Sequence, residues 1–189
     1  MIKNISSILF TSPHLVSYKE RIESSEEIEF DDFYEQIKFF ENKHNLELGY
    51  FETLFLVSCL AFLNSSNEYF VCEAGIGGKL DTTSILQAKN VVLTNIGLDH
   101  VELLGDTHES ILREKIHISN SIENLFNGVL NTELNELINQ SFPENNSIEN
   151  RVFDSKIYQE TQKNLDIITV GNGAFIQEPE VEPISNVNW

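Results

Sequence analysis

Short apolar runs alternate along this chain with longer segments in which apolar residues recur at helical spacing. The runs are rich in β-branched and aromatic residues, and they lie at 5–10, 69–73, 90–96, 127–131 and 165–171. The helical segments lie at 31–44, at 50–63, after Thr107 and at 132–140. Strands that alternate with helices form parallel sheets whose faces the helices cover. The sequence therefore predicts an α/β fold with a mostly parallel sheet covered by helices.

Two of the helix starts carry capping residues. Asp31 or Asp32 is the predicted N-cap of the first helix, whose apolar face includes Phe33. Thr107 is the predicted N-cap of a later helix, and Glu109 lies in its first turn, where a negative charge is favourable.

The charge of the chain limits its partners. Its 189 residues carry a formal net charge of −18, and no cluster of Lys and Arg relieves it. Nucleic-acid binding requires a cationic face, so that class of function is excluded. An anionic ligand therefore has to be held by a metal ion or by backbone N–H groups. Apolar residues make up 41% of the chain, enough for the core of one ordinary domain.

Cysteine usage and the length of the apolar runs indicate a cytoplasmic protein. Cys59 and Cys72 lie in apolar runs and are typical of small buried hydrophobes, without a disulfide framework. The first 14 residues lack the long apolar region of a signal peptide. The longest apolar run, 51–63, is too short to cross a bilayer, so no membrane partner is expected.

Polar clusters follow three of the predicted strands. They lie at 11–14, at 73–81 and at 97–100. In open parallel sheets, ligands bind outside the carboxyl ends of the strands. The three clusters are therefore expected to converge on one edge, although they are far apart in the sequence.

Three side chains in these clusters are candidate ligands for Mg²⁺. Glu73 ends an apolar strand, where an unpaired carboxylate would be costly, and His100 ends the next strand in the same way. With the hydroxyl of Ser12 and water, these groups form a donor set for a divalent cation. A structural hydrogen bond between Glu73 and His100 is the alternative.

The glycines after Glu73 do not form a P-loop. That motif requires G-x-x-x-x-G-K-[ST], whereas Leu80 follows Gly78 and Lys79 here. Gly75, Gly77 and Gly78 are instead predicted to make a tight turn beside the metal site, where they are the candidate cofactor-contacting residues.

Lys115 shares a helix face with Ile111 and Ile118, and that face is predicted to turn inward. A buried ammonium group must be paired, or burial removes its proton. A neutral amine reacts with carbon dioxide to give a carbamate, which reverses the charge of the side chain. An ion pair with Asp99, Glu73 or Glu102, or a lysine that reaches out to solvent, is the alternative.

Residues near the first cluster are candidates for substrate contact. They are Pro13, His14 and Arg21. For His14 a turn-stabilising role is an equal alternative, and for Arg21 a solvated face is one.

Three segments together resemble the folylpolyglutamate synthase/dihydrofolate synthase family, a branch of the Mur ligases. They are TSPHLVSYKERI (11–22), EAGIGGKLDTTS (73–84) and NIGLDHVELLGDTHESILREK (95–115). The resemblance implies ATP-dependent formation of an acyl phosphate on dihydropteroate or folate, which the amine of L-glutamate then attacks. It also implies that Ser12, Glu73 and His100 match the Mg²⁺ ligands, and that Lys115 matches the lysine which the family carries as a carbamate.

Members of that family also have a P-loop before the TSPHL strand and a C-terminal domain. The resemblance therefore predicts an N-terminally truncated central domain over 1–176, with a flexible acidic tail at 177–189. A second chain is expected to supply the missing parts. A non-catalytic remnant or partner-binding module, or a stand-alone metal-dependent hydrolase, is the alternative.

Overall fold

The computed structural model describes residues 6–142 and the backbone of 151–152. The predicted strand at 165–171, the domain boundary at 176 and the tail at 177–189 lie outside the described residues. Within the described part, no helix combines the length and the apolar character that crossing a bilayer requires.

The described elements comprise six strands, five α-helices and two short 3₁₀ helices. In chain order they are β1 (Ser7–Phe10), a first 3₁₀ helix (Tyr18–Arg21), β2 (Ile22–Ser24), α1 (Phe30–His44), α2 (Tyr50–Leu63), β3 (Tyr69–Cys72), a second 3₁₀ helix (Thr82–Leu86), β4 (Asn90–Leu93), α3 (Val101–Leu104), α4 (His108–Ile116), β5 (Asn124–Asn127), α5 (Thr132–Ser141) and β6 (Arg151–Val152).

The described strands form two three-stranded sheets. In the first, β1 lies between β2 and β3, antiparallel to β2 and parallel to β3, with Phe10 opposite Cys72. In the second, β5 lies between β4 and β6, and both pairings are parallel. The predicted mostly parallel α/β fold is confirmed, and the antiparallel strand β2 is an addition that the sequence did not indicate.

The first sheet packs against α1 and α2. Helix α2 is apolar on most of its surface because it is buried between the sheet and α1, and Phe55 and Val57 are fully enclosed. The ring of Phe55 meets that of Phe10 edge to face, with centroids 5.9 Å apart. Cys59 and Cys72 are free, half-buried thiols that pack against this core, which is consistent with the predicted role as small hydrophobes.

The second sheet shares a core with α4 and α5, built around Leu112, Leu125 and Ile138. Two residues from the carboxyl ends of strands pack against the same core: Ala74 follows β3 and Ile96 follows β4. The exits of these strands, from different sheets, are therefore held beside one another.

One of the two N-cap predictions is wrong. Helix α1 begins at Phe30 with Glu29 in the N-cap position, and no side chain caps it, so neither Asp31 nor Asp32 is the N-cap. Both aspartates lie in the first turn instead, where they still complement the helix dipole. By contrast, the predicted N-cap Thr107 is confirmed, because its hydroxyl accepts a hydrogen bond from the Ser110 N–H at 3.1 Å.

The strand predicted at 127–131 lies at Asn124–Asn127. The Gly128 N–H still bonds to the Leu93 carbonyl of β4 at 2.7 Å. The chain turns away after it, where the Val129 N–H bonds to the Asn127 side chain at 2.9 Å instead of to β4. A Cβ atom at Gly128 would lie 2.5 Å from the Thr94 carbonyl oxygen, so this exit requires glycine.

Candidate functional site

The first two polar clusters meet at the carboxyl ends of β1 and β3. The Ser12 N–H donates a hydrogen bond to Glu73 Oε2 at 2.7 Å, and the Glu73 N–H donates to the Phe10 carbonyl at 2.9 Å. The ladder also continues on the other side, where the Thr11 N–H bonds to the Arg21 carbonyl at 2.9 Å. The convergence of the clusters at 11–14 and 73–81 is therefore present.

The Glu73 carboxylate is half-buried, and neighbouring groups offset only part of the cost of burying its charge. Burial raises the pKa of Glu73, while the Ser12 N–H and the positive charge of Arg21 lower it in part. A nearby divalent cation would stabilise the ionised form of such a carboxylate. The environment of Glu73 thus fits the metal-ligand role expected of it.

His100 occupies a strained backbone conformation at the start of α3. Its φ of 49° lies in the left-handed region, which costs an L-residue about 1 kcal/mol. The His100 N–H bonds to Asp99 Oδ1 at 2.8 Å, and Nε2 lies 3.7 Å from Asp99 Oδ2. Strain of this kind clusters at functional sites.

The alternative for Glu73 and His100 is a direct hydrogen bond between their side chains. No such bond joins these two described residues. Among residues 6–142, no group of three or more His, Cys, Asp and Glu side chains is arranged to hold a metal ion. The predicted set has only two such side chains together with the Ser12 hydroxyl, so that finding does not test it. The assignment of Ser12, Glu73 and His100 as metal ligands therefore stays a prediction.

Lys115 lies in the last turn of α4 and is 8% exposed. The inward-facing side chain predicted from helical spacing is therefore confirmed, and Ile111 and Ile118 are buried with it, although α4 ends at Ile116. Burial lowers the pKa of Lys115, and the carboxylates of Asp99 and Asp81 oppose this shift. Lowering the pKa increases the neutral fraction, which is the form that reacts with carbon dioxide.

The glycine loop after Glu73 packs onto the C-terminal end of α4. Gly77 has a φ of 73°, and a Cβ atom at Gly78 would lie 2.8 Å from the Lys115 Cα atom. The Lys79 N–H donates to the Glu114 carbonyl at 3.0 Å. The loop is the tight turn that the sequence predicts, whereas contact of Gly75, Gly77 and Gly78 with a cofactor stays a prediction.

The candidate substrate residues form a small cluster beside β1. Arg21 Nε donates to His14 Nδ1 at 3.0 Å, and the Arg21 guanidinium lies 5.3 Å from the centroid of the Tyr50 ring. This bond uses one of the five N–H donors of the guanidinium. His14 therefore orients Arg21, while Pro13 is exposed at the edge of the cluster.

The sequence prediction missed Asp81, which is 8% exposed. Its Oδ2 accepts from the Ile76 N–H at 2.8 Å, and its Oδ1 accepts from the N–H and the hydroxyl of Thr83 at 2.9 and 2.6 Å. The available signal was Asp81-Thr82-Thr83, a typical N-cap pattern. It was overlooked because no periodic apolar helix follows it.

Two further polar groups were also missed. Thr94 Oγ1 and Asn95 Oδ1 are buried without a hydrogen-bond partner in the described part of the chain. Both residues directly follow β4 and precede the cluster at 97–100. Buried polar atoms of this kind require water or a ligand as a partner.

Comparison with known proteins agrees with this architecture. A sequence profile of the Mur ligase middle domain matches residues 25–178. The dihydrofolate synthase/folylpolyglutamate synthase of Buchnera aphidicola subsp. Schizaphis graminum is 39% identical over 109 residues, which are 57% of this chain and 26% of that protein. The chain thus spans about a quarter of the length of the curated relatives it matches.

Solved structures are similar over a larger part of the chain. Escherichia coli FolC in complex with DHPP and ADP is 30% identical with a TM-score of 0.64, over 72% of this chain and 34% of that one. A bifunctional folylpolyglutamate synthase/dihydrofolate synthase with Mn, AMPPNP and L-glutamate bound is 25% identical with a TM-score of 0.63, over 78% and 36%. The resemblance predicted from the three motifs is confirmed, and the chain belongs to the Mur ligase middle-domain family.

Proposed function

We propose that this chain is the metal-binding and phosphate-handling part of an ATP-dependent ligase that adds L-glutamate to dihydropteroate or folate. The observation that carries the proposal is the contact of Ser12 with Glu73 beside a glycine loop that packs on Lys115. The names of the relatives, and the nucleotide, manganese and L-glutamate bound to one of the similar structures, support it.

The proposed reaction has two steps. A substrate carboxylate oxygen attacks the γ-phosphorus of ATP, an acyl phosphate forms, and ADP leaves. The amine of L-glutamate then attacks the acyl carbon, the C–O bond to phosphate breaks, an amide forms, and the amine loses a proton. Mg²⁺ held by the ligands proposed below would supply positive charge that offsets the negative charge of the transferred phosphoryl group.

The Ser12 hydroxyl, the Glu73 carboxylate and the His100 imidazole are the proposed Mg²⁺ ligands. Glu73 is oriented for this role by the Ser12 N–H, which occupies one carboxylate oxygen. The raised pKa of Glu73, caused by burial, supports the role because a cation would relieve that cost.

Lys115 is proposed to carry the carbamate. The neutral amine attacks carbon dioxide, an N–C bond forms, and the amine proton is lost to solvent. The burial of Lys115 and its lowered pKa support this assignment, because both increase the fraction of the neutral amine.

Arg21, His14 and Pro13 are proposed to contact the anionic substrate. A chain with a net charge of −18 repels anions, so a local cation has to offset that field at the point of entry. Arg21, which is oriented by His14, supplies such a charge beside Glu73. Gly75, Gly77 and Gly78 bring the backbone of the loop close to the same edge.

The curated relatives are about four times as long as the part that this chain matches. We therefore propose that the remaining ATP and glutamate contacts come from segments outside the matched part, either in the same polypeptide or in a second chain. A cytoplasmic location belongs to the proposal, and the free thiols Cys59 and Cys72 support it.

Mn²⁺ binding to the chain tests the metal site directly. We expect the protein to bind Mn²⁺, detected by electron paramagnetic resonance, and expect Glu73→Gln to weaken binding by more than about 10-fold, since ligand and near-ligand changes have effects of that size. Glu35→Gln removes an exposed carboxylate of α1 and serves as the matched control. A folded protein that binds no Mn²⁺, or binds it equally well without Glu73, would contradict the proposed site.

Glutamate addition tests the activity. The chain is mixed with polypeptides that carry the P-loop portion and the C-terminal domain of a relative, and incorporation of labelled L-glutamate into folate or dihydropteroate is measured. Activity that depends on Glu73 supports the ligase. A folded mixture that binds Mn²⁺ but stays inactive would favour a non-catalytic module.

A further inference from the structure

We propose that the outer face of α1 is a self-association surface, on which a second copy of this chain packs its own α1 in the antiparallel direction. The outer face consists of six exposed residues: Asp32, Glu35, Gln36, Phe39, Phe40 and Lys43. None of them belongs to the proposed metal or substrate site, so this inference does not depend on the proposed ligase activity.

Helix α1 carries apolar residues on two sides. On its inner side, Phe33 and Ile37 are buried in the first core. The opposite side of such a helix is normally charged or polar, because it meets water. Here it presents Phe39, which is 70% exposed, and Phe40, which is 52% exposed. Adjacent exposed aromatic rings, unlike single ones, indicate an interaction surface.

The two rings border a shallow groove that runs along the outer face. The groove is lined by Asp32, Glu35, Gln36, Phe39 and Phe40. The His44 ring packs against the Phe40 ring, with centroids 4.3 Å apart, and covers part of it. Phe39 is therefore the ring that projects furthest and the expected anchor of the contact.

The charges of the outer face are ordered along the helix. Asp32 lies in the first turn and Lys43 in the last turn, with the aromatic pair between them. A second helix in the antiparallel direction reverses this order, so that each acidic end meets a basic end. With the two-fold axis between positions 37 and 38, Asp32 faces Lys43 of the second copy, and Gln36 faces Phe39. Each contact occurs twice, as in other two-fold interfaces.

This charge order favours a second copy over a partner of a single charge. A basic segment would attract Asp32 and repel Lys43, and an acidic segment would do the reverse. The net charge of −18 opposes association of two copies. However, the Debye length of about 8 Å at physiological ionic strength screens charges that lie far from the contact, whereas the facing end pairs are screened less.

The size of the outer face limits the strength of the contact. It offers six residues, whereas a stable interface uses about 20–30 residues from each partner. We therefore expect a weak dimer that forms at high protein concentration.

Sedimentation equilibrium of the full chain over a range of concentrations measures this association. We expect a reversible equilibrium between monomer and dimer. Phe39→Ala should weaken it by more than about 10-fold, because it removes the central aromatic anchor. Leu130→Ala is the matched control, since Leu130 is an 83% exposed apolar residue outside α1 and its removal should leave the association unchanged.

Two charge reversals test the antiparallel order. Asp32→Lys and Lys43→Asp each place like charges together at both ends of the contact, so each variant alone should self-associate about 10-fold more weakly. An equimolar mixture of the two variants should recover the affinity of the unmodified chain, because opposite charges then face each other at both ends. Asp32→Lys also makes the chain less negative, so an association governed by overall charge alone would become stronger in this variant.

Three results would overturn the inference. They are a folded chain that stays monomeric at about 1 mM, a Phe39→Ala protein that associates as well as the unmodified chain, and a mixture that associates no better than its separate variants. All the substitutions replace exposed side chains, and circular dichroism checks that each variant is folded. Mn²⁺ binding should be unchanged in each of them, so a failure here would leave the proposed metal site and ligase standing.

Discussion

Gly78 lies against the backbone of Lys115, with 2.8 Å between the position of a Cβ atom at residue 78 and the Lys115 Cα atom. The neighbour is main chain inside a helix, and it cannot move aside as a flexible side chain can. The identity of residue 78 therefore controls how closely the glycine loop approaches α4.

Gly78→Ala should lower the free energy of unfolding by about 1–3 kcal/mol, the usual cost of overpacking a tight contact. Urea denaturation followed by circular dichroism measures this difference. Gly49→Ala is the matched control, because a Cβ atom there meets the flexible Glu52 carboxylate at 3.2 Å. A Gly78→Ala protein as stable as the unmodified chain would show that the loop can withdraw from α4.

Lys115→Met should raise the stability of the metal-free, bicarbonate-free protein at neutral pH. Burial lowers the pKa of Lys115 in the folded state, so the unfolded state binds the proton more tightly there. The unfavourable contribution of the lysine is complete below its folded pKa and disappears as pH rises towards the ordinary lysine value. Urea midpoints at pH 7 and at higher pH test this.

The gain from Lys115→Met should shrink as pH rises across that window. Lys79→Met removes an exposed lysine of the glycine loop and should show no comparable trend. A stability difference for Lys115→Met that does not vary with pH would mean that folding does not lower the pKa of Lys115.

Glu41 should make folding stability depend on acidic pH. It is 5% exposed, its Oε2 lies 2.6 Å from Lys38 Nζ, and its Oε1 accepts from the Leu48 N–H at 2.7 Å. The Lys38 side chain and the Leu48 N–H hold the pKa of Glu41 below its ordinary value. The stabilisation is therefore present above the unfolded pKa and is lost as pH falls through the lower, folded value.

Thermal unfolding of Glu41→Gln between pH 7 and pH 3 measures this contribution. The variant should be less stable than the unmodified chain at pH 7, and the difference should shrink on acidification. Glu136→Gln replaces an exposed carboxylate of α5, which packs on the other core, and serves as the matched control. Parallel pH profiles for Glu41→Gln and the unmodified chain would contradict the assignment.

Phe55→Ala should reduce the free energy of unfolding by about 3–5 kcal/mol, because a fully buried ring leaves a cavity between α2 and the first sheet. Phe39→Ala on α1 is the control, since Phe39 is 70% exposed and its removal should change stability by less than about 0.5 kcal/mol. Chemical denaturation distinguishes the two, and equal losses would mean that the described core is not the one that stabilises the chain.

Features set by neighbouring residues in the sequence were predicted well. The helices at 50–63 and 132–140, the Thr107 cap and the inward face of Lys115 depend on local spacing and capping, which the sequence displays directly. The Ser12–Glu73 contact also followed from a general rule, because parallel strands bring their carboxyl ends to one edge.

Features set by distant partners were predicted poorly. The end of β5 depends on the close approach of Gly128 to the Thr94 carbonyl after β4, and nothing near residue 128 in the sequence reveals that partner. The bond from Asp81 to Ile76 spans only five residues, yet it lies in an irregular loop without a periodic pattern. The N-cap prediction for α1 failed for another reason. Both aspartates satisfy the local preference for an N-cap, but the helix begins at Phe30, one residue before the predicted segment at 31–44.

The anchor of Glu73 is a main-chain donor, the N–H of Ser12. Nineteen of the twenty standard amino acids possess that donor, and proline alone lacks it. A saturation library at position 12 would therefore sort into three classes. Hydroxyl residues retain the main-chain bond and the proposed oxygen ligand, other residues keep the bond but lack the proposed ligand, and proline loses both.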